Sequence, residues 1–93
     1  MSVHRCTTTW ALNGGDFLGK KYSRVHSMAF EGGVTVPGSS SPTVVPVPWS
    51  SHEAVDPEAA FVAALSACHM LWFLDHAGRQ GFVVETYRDA AEG

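Results

Sequence analysis

The stretch that decides the fold is Asp56-Pro57-Glu58-Ala59-Ala60-Phe61-Val62-Ala63-Ala64-Leu65-Ser66-Ala67-Cys68-His69-Met70-Leu71-Trp72-Phe73-Leu74-Asp75-His76-Ala77-Gly78. It begins as a helix should. Asp56 offers an N-cap acceptor, Pro57 suits the first helical position, and Glu58 puts a carboxylate where the helix dipole favours one. Alanines then permit close approach by other elements, and Leu71, Trp72, Phe73 and Leu74 add bulk further on. The spacing predicts a helix over 56–78, roughly 30 Å long, ended by Gly78. It is apolar nearly all round, which predicts burial on every side. Near its middle sit a thiol and an imidazole, Cys68 and His69.

Upstream, residues 3–10 are rich in β-branched side chains and read as a first strand. His4, Cys6, Thr8 and Trp10 share one face of it. Asn13-Gly14-Gly15-Asp16 is a turn signal, because glycine takes positive φ freely. Residues 22–30 are again extended, Glu31-Gly32-Gly33 marks a hairpin, and residues 34–36 pair back. An antiparallel meander over 3–36 results. The segment 37–55 carries four prolines and cannot continue a sheet interior. A connection of that length is an ordered functional loop or a flexible one. Beyond the helix, residues 82–88 read as a further strand. Three or four strands leave one side of such a helix bare, so the chain is expected to be completed by a partner subunit, or to be part of a longer protein.

The chain has 93 residues, suiting one small domain or part of one, with 45% hydrophobic and 16% charged residues. A net charge of −3 and scattered basic residues provide no footprint for nucleic acid and no polybasic membrane segment. Two cysteines do not make a disulfide scaffold. Residues 1–10 lack the apolar core of a signal peptide. The apolar run 59–74 falls short of the roughly 20 residues of a membrane span. A reducing, cytoplasmic setting is expected, with no membrane and no nucleic-acid partner. His4, Cys6, His26, Cys68 and His69 have no zinc-ligand spacing, so no metal is expected.

Asp56-Pro57-Glu58, a run of small and apolar residues, and then Ala67-Cys68-His69 resemble the central helix of the OsmC/Ohr family of thiol-dependent hydroperoxide reductases. Tyr22-Ser23-Arg24-Val25-His26, Phe30-Glu31-Gly32-Gly33 and Ser41-Pro42 resemble an OsmC-like subgroup. The resemblance covers about residues 8–93 and implies an α+β fold and an intertwined homodimer, of which this chain is the N-terminal portion. It also implies a thiol-based peroxidase that reduces organic hydroperoxides or hydrogen peroxide, uses no bound cofactor and is recycled by an external dithiol of lipoyl or thioredoxin type. By its motifs Cys68 is the peroxidatic cysteine, Arg24 the cation that activates it and Glu58 the carboxylate that positions the arginine; Arg5 is second choice to Arg24. The family's resolving cysteine lies in a C-terminal half that these residues do not include, and Cys6 does not match its position.

The residues bear on this independently. A cysteine is also a small hydrophobe that packs well. Reactivity requires the thiolate, which apolar burial disfavours, and Cys68 is too far from the helix N-terminus for the dipole to help. A cation from elsewhere is needed, and a guanidinium supplies one permanently. Glu58 and Cys68 are about 15 Å apart along a straight helix. Either the helix breaks between them or Glu58 serves the cysteine of the other subunit. His69 points about 100° away from Cys68 and is a poor general base. Alternatives to the enzyme are a non-catalytic domain that binds an apolar small molecule and a dimerisation module.

Overall fold

A computed structural model describes residues 2–93. It contains three strands and one long helix, in two compact units: one through Pro57, the other Glu58–Gly93.

The first unit is built on an antiparallel sheet of order β1-β2-β3, with β1 Cys6–Thr9, β2 His26–Phe30 and β3 Thr35–Gly38. The register pairs Cys6 with Phe30, Thr8 with Met28, and Met28 with Val36. These five residues therefore share one face, since side chains alternate along a strand. The expected meander is present, with first and second strands shorter than the composition suggested. β3 instead runs on through Pro37 to Gly38, into the segment expected to be loop, with Pro37 on an edge strand of the sheet. Asn13 (φ 47°) and Gly14 (φ 82°) both take the left-handed conformation that a tight reversal needs. Between β2 and β3 the chain reverses through Glu31–Gly33, with Gly32 (φ 84°) and Gly33 (φ 87°) in the left-handed region, closed by the Phe30 N–H donating to the Val34 carbonyl.

The proline-rich connection 37–55 is ordered. Its far end returns to its start: Val55 N–H donates to the Pro37 carbonyl (2.9 Å), and Ser39 N–H to that of Val55 (3.0 Å). This makes a single parallel bridge, Gly38 to Val55. Ser39 is fully buried, and its hydroxyl donates to the Ser40 carbonyl while accepting from the Ser51 N–H across the neck of the loop. Buried Ser50 donates to the Val45 carbonyl inside it. Prolines leave few backbone donors here, and serine hydroxyls supply the missing bonds. The Arg24 N–H also donates to the Trp49 carbonyl, tying the loop to the segment that leads into β2.

In the second unit, α1 spans Pro57–Arg79 without interruption. Its end is not at Gly78. Gly81 adopts φ 84°, the Phe82 N–H reaches the Ala77 carbonyl, and the Gly81 N–H reaches that of Gly78. That pair of bonds is a Schellman cap, with Gly81 in the left-handed position. Gly78 stays helical because a glycine within a helix is costly but permitted.

Two further expectations need correction. Residues 82–88 form no strand. A strand exists only through a pairing partner, and no described segment offers one. The tail instead runs back along α1: the Tyr87 ring lies 5.8 Å from that of Phe73, Ser66 Oγ donates to Asp89 Oδ2 (2.7 Å), and Gly93 abuts Val62. Nor is α1 buried within the chain. Ala77 is its one buried residue, while Phe61 is 65% and Trp72 68% exposed. The tail covers one side only, at Val62, Ser66, Phe73 and Ala77.

Candidate active site

Cys68 lies on the opposite side of α1. The residues that share its face follow at helical spacing, 61, 65, 68, 72, 75 and 79, and neither the tail nor any other part of the second unit covers them. Its thiol is exposed. The burial expected for it is therefore absent from the single chain, for the same reason that the helix is uncovered. Around it Leu71, Trp72, Asp75 and Arg79 join Cys68 in an open groove of about 370 Å³. Leu71 and Trp72 make the groove apolar beside the sulfur. Asp75 and Arg79, one turn apart, close its far end with an ion pair of 3.0 Å. Arg79 is a cation on the cysteine's own groove that the motif reading passed over. The signal was present: Cys68, Trp72, Asp75 and Arg79 recur at i, i+4, i+7 and i+11.

Glu58 is exposed in the first turn, and no described residue bonds to its carboxylate. Since α1 is unbroken, Glu58 remains about 15 Å along the axis from Cys68. Of the two routes open to it, a break in the helix is ruled out. His69 is exposed next to Cys68 on another face.

Arg24 belongs to the first unit, just before β2. Its guanidinium lies over the Tyr22 ring, 3.7 Å from the centroid, and Nη1 donates to the carbonyls of Lys20 and Tyr22. Planar stacking combined with a fixed fork suits arginine and would not suit lysine. Nε and Nη2 have no partner among the described residues. Arg5 is engaged in an exposed ion pair with Glu31 (3.3 Å), flanking the sheet. Cys6 is exposed on β1, at the edge of the sheet. Among the described residues no cluster of His, Cys, Asp or Glu is arranged to hold a metal ion.

Comparison with solved structures decides the family. An OsmC-like protein of unknown function from Vibrio cholerae O1 biovar eltor superposes with a TM-score of 0.90 and 50% sequence identity over 96% of this chain. The chain belongs to the OsmC-like family. It spans 58% of the length of that relative. No protein-family model and no curated protein matches it. The OsmC-like assignment agrees with the α+β fold, in which a three-stranded antiparallel sheet and an ordered loop precede one long apolar helix. By length and mean hydropathy (1.4), α1 is long and apolar enough to cross a membrane. Core helices of soluble proteins meet the same test.

Proposed function

We propose that this OsmC-like chain is part of a thiol-based peroxidase that reduces organic hydroperoxides or hydrogen peroxide, with Cys68 as the reacting residue. The observation that carries the proposal is the position of Cys68: an exposed thiol at the head of a groove walled by Leu71 and Trp72, on an OsmC-like helix. An apolar wall beside a nucleophile suits the hydrocarbon part of an organic hydroperoxide, since small-molecule sites are mostly apolar with few polar groups.

The Cys68 thiolate attacks the distal oxygen of the peroxide. The O–O bond breaks, the departing alkoxide takes a proton to become an alcohol, and sulfur is left as a sulfenic acid. Two electrons pass from sulfur to peroxide. An external dithiol then condenses with the sulfenic acid, releasing water, and its second thiol frees Cys68 as the dithiol becomes a disulfide. Arg24 would stabilise the thiolate, and Glu58 would orient that arginine from a partner subunit in a homodimer. A reducing compartment such as the cytoplasm keeps the thiol available. No bound cofactor is needed.

The test is mass spectrometry of the folded chain after one equivalent of cumene hydroperoxide. One added oxygen at Cys68, absent in Cys68→Ser, supports the proposal. An unmodified Cys68 in protein shown to be folded overturns it and leaves ligand binding or dimerisation as the function. With excess dihydrolipoamide, turnover by the chain should be unchanged by Cys6→Ser. If that substitution abolishes turnover, Cys6 is the resolving residue after all.

A further inference from the structure

Arg24 is held differently from Arg5 and Arg79. Each of those two is paired to a carboxylate, Arg5 to Glu31 and Arg79 to Asp75. Arg24 is held by the Tyr22 ring, 3.7 Å from its guanidinium carbon, and by the carbonyls of Lys20 and Tyr22, which accept from Nη1. The difference matters for chemistry. A carboxylate partner offsets the charge of a guanidinium and occupies its N–H edge. An aromatic face attracts the cation through the ring quadrupole and takes none of its in-plane donors. Tyr22 therefore fixes Arg24 while leaving its charge, Nε and Nη2 available.

The Tyr22 ring is itself fixed. Phe17 stacks on it with centroids 5.0 Å apart, and Trp10 meets it edge-on at 5.6 Å. Trp10 is anchored in turn, its indole donating to the carbonyl of Ser23, the residue between Tyr22 and Arg24 (2.8 Å). Gly15 approaches so closely that a side chain there would collide with the Tyr22 Cβ. Just before Tyr22, Asp16 and Lys21 exchange two backbone bonds of 2.9 Å each and close the reversal that brings Phe17 alongside. Tyr22 and Arg24 are both half-buried, a setting in which a cation over a ring gains more than it does in open water. The spacing is the simplest available, since residues i and i+2 share one side of an extended chain.

We propose that Tyr22 is a positioning residue for Arg24, an inference that rests on the reading of Arg24 as the cation that activates Cys68. Its role runs through the arginine alone. Without the ring, a long side chain spreads over several rotamers, and only the fraction in the productive pose stabilises a thiolate. The loss on removing the ring is thus bounded by the loss on removing the arginine.

The experiment is the rate of alkylation by iodoacetamide against pH, in the full chain carrying Cys6→Ser so that Cys68 is the thiol followed. Tyr22→Phe keeps the ring and is expected to stay within about twofold of the parent. Tyr22→Leu keeps apolar bulk without the ring; it should slow alkylation about fivefold near neutral pH and move the midpoint of the profile upward. Added to Arg24→Ala, Tyr22→Leu should produce no further loss, because both changes act on one interaction. By NMR, the ring current is expected to hold the Arg24 Nε–H signal upfield of free arginine in the parent and in Tyr22→Phe, and to release it in Tyr22→Leu.

A parent-like profile for Tyr22→Leu beside a slowed Arg24→Ala overturns this proposal and leaves the activating role of Arg24 standing. An unchanged profile for Arg24→Ala overturns both. A loss from Tyr22→Leu that persists in the Arg24→Ala background shows that the tyrosine does not act through the arginine, and overturns it too. So does an Arg24 Nε–H signal at the free-arginine position in the parent, whether or not the variants fold.

Discussion

At the scale of single residues, a thiol on an apolar helix acquires chemical meaning only from what surrounds it. Cys68 is accompanied by Leu71 and Trp72 in its own groove, with Arg79 at the far end already paired to Asp75. A paired arginine has its charge partly offset, whereas Arg24 keeps two donors unused. The proposed mechanism therefore assigns activation to Arg24, and this has a measurable consequence. Arg24→Ala is expected to slow alkylation of Cys68 by iodoacetamide about tenfold near neutral pH, the change that about 1.4 kcal/mol of lost thiolate stabilisation produces. Arg79→Ala should leave the rate within about twofold. If Arg79→Ala produces the larger loss, the activating cation is on the helix itself and the motif-based assignment to Arg24 fails.

At the scale of elements, the ends of α1 show how local chemistry chooses between similar residues. Both Gly78 and Gly81 are able to stop a helix, and the chain stops at the second. Only Gly81 places its own N–H on the Gly78 carbonyl and the Phe82 N–H on that of Ala77 while turning residues 82–93 back along the helix. Replacing Gly81 by alanine puts a Cβ at φ 84° and should destabilise the second unit by about 1 kcal/mol, read as a shift in the urea midpoint. Gly78→Ala, with open space around the added methyl, should stabilise the helix by several tenths of a kcal/mol. Equal effects from the two substitutions would mean that the cap does not control where the helix ends. The loop 37–55 follows a comparable logic, with buried hydroxyls in place of the donors that proline lacks.

At the scale of the whole molecule, the outstanding feature is apolar surface left in water. Phe61, Leu65, Leu71 and Trp72 are all exposed on α1, on the side away from the tail. Contiguous apolar patches of this kind mark interaction surfaces in soluble proteins. The proposed homodimer would bury them and would bring a second copy of Glu58 within range of Cys68. Sedimentation equilibrium is expected to report twice the chain mass at micromolar concentration, and Trp72→Glu should shift the population towards monomer. A compact, stable monomer that stays soluble with this face open would exclude the dimer.

The sequence alone determined whatever depends on neighbours along the chain. Asp56-Pro57-Glu58 marked the start of α1, Asn13-Gly14 a reversal, and the composition of 3–10 and 22–30 two extended segments, because capping, positive φ and extended-chain preference act within a few residues. The family was also legible there, in Ala67-Cys68-His69 and the residues around Arg24. Tertiary structure decided what depends on distant partners. Residues 82–88 read as a strand but lie on the helix, since no described segment pairs with them. The serine-bonded neck of the loop joins Ser39 to Ser51 and Val55, contacts invisible to any local pattern. The exposure of Cys68 was likewise hidden, because an all-round apolar helix states that it must be covered without stating by what.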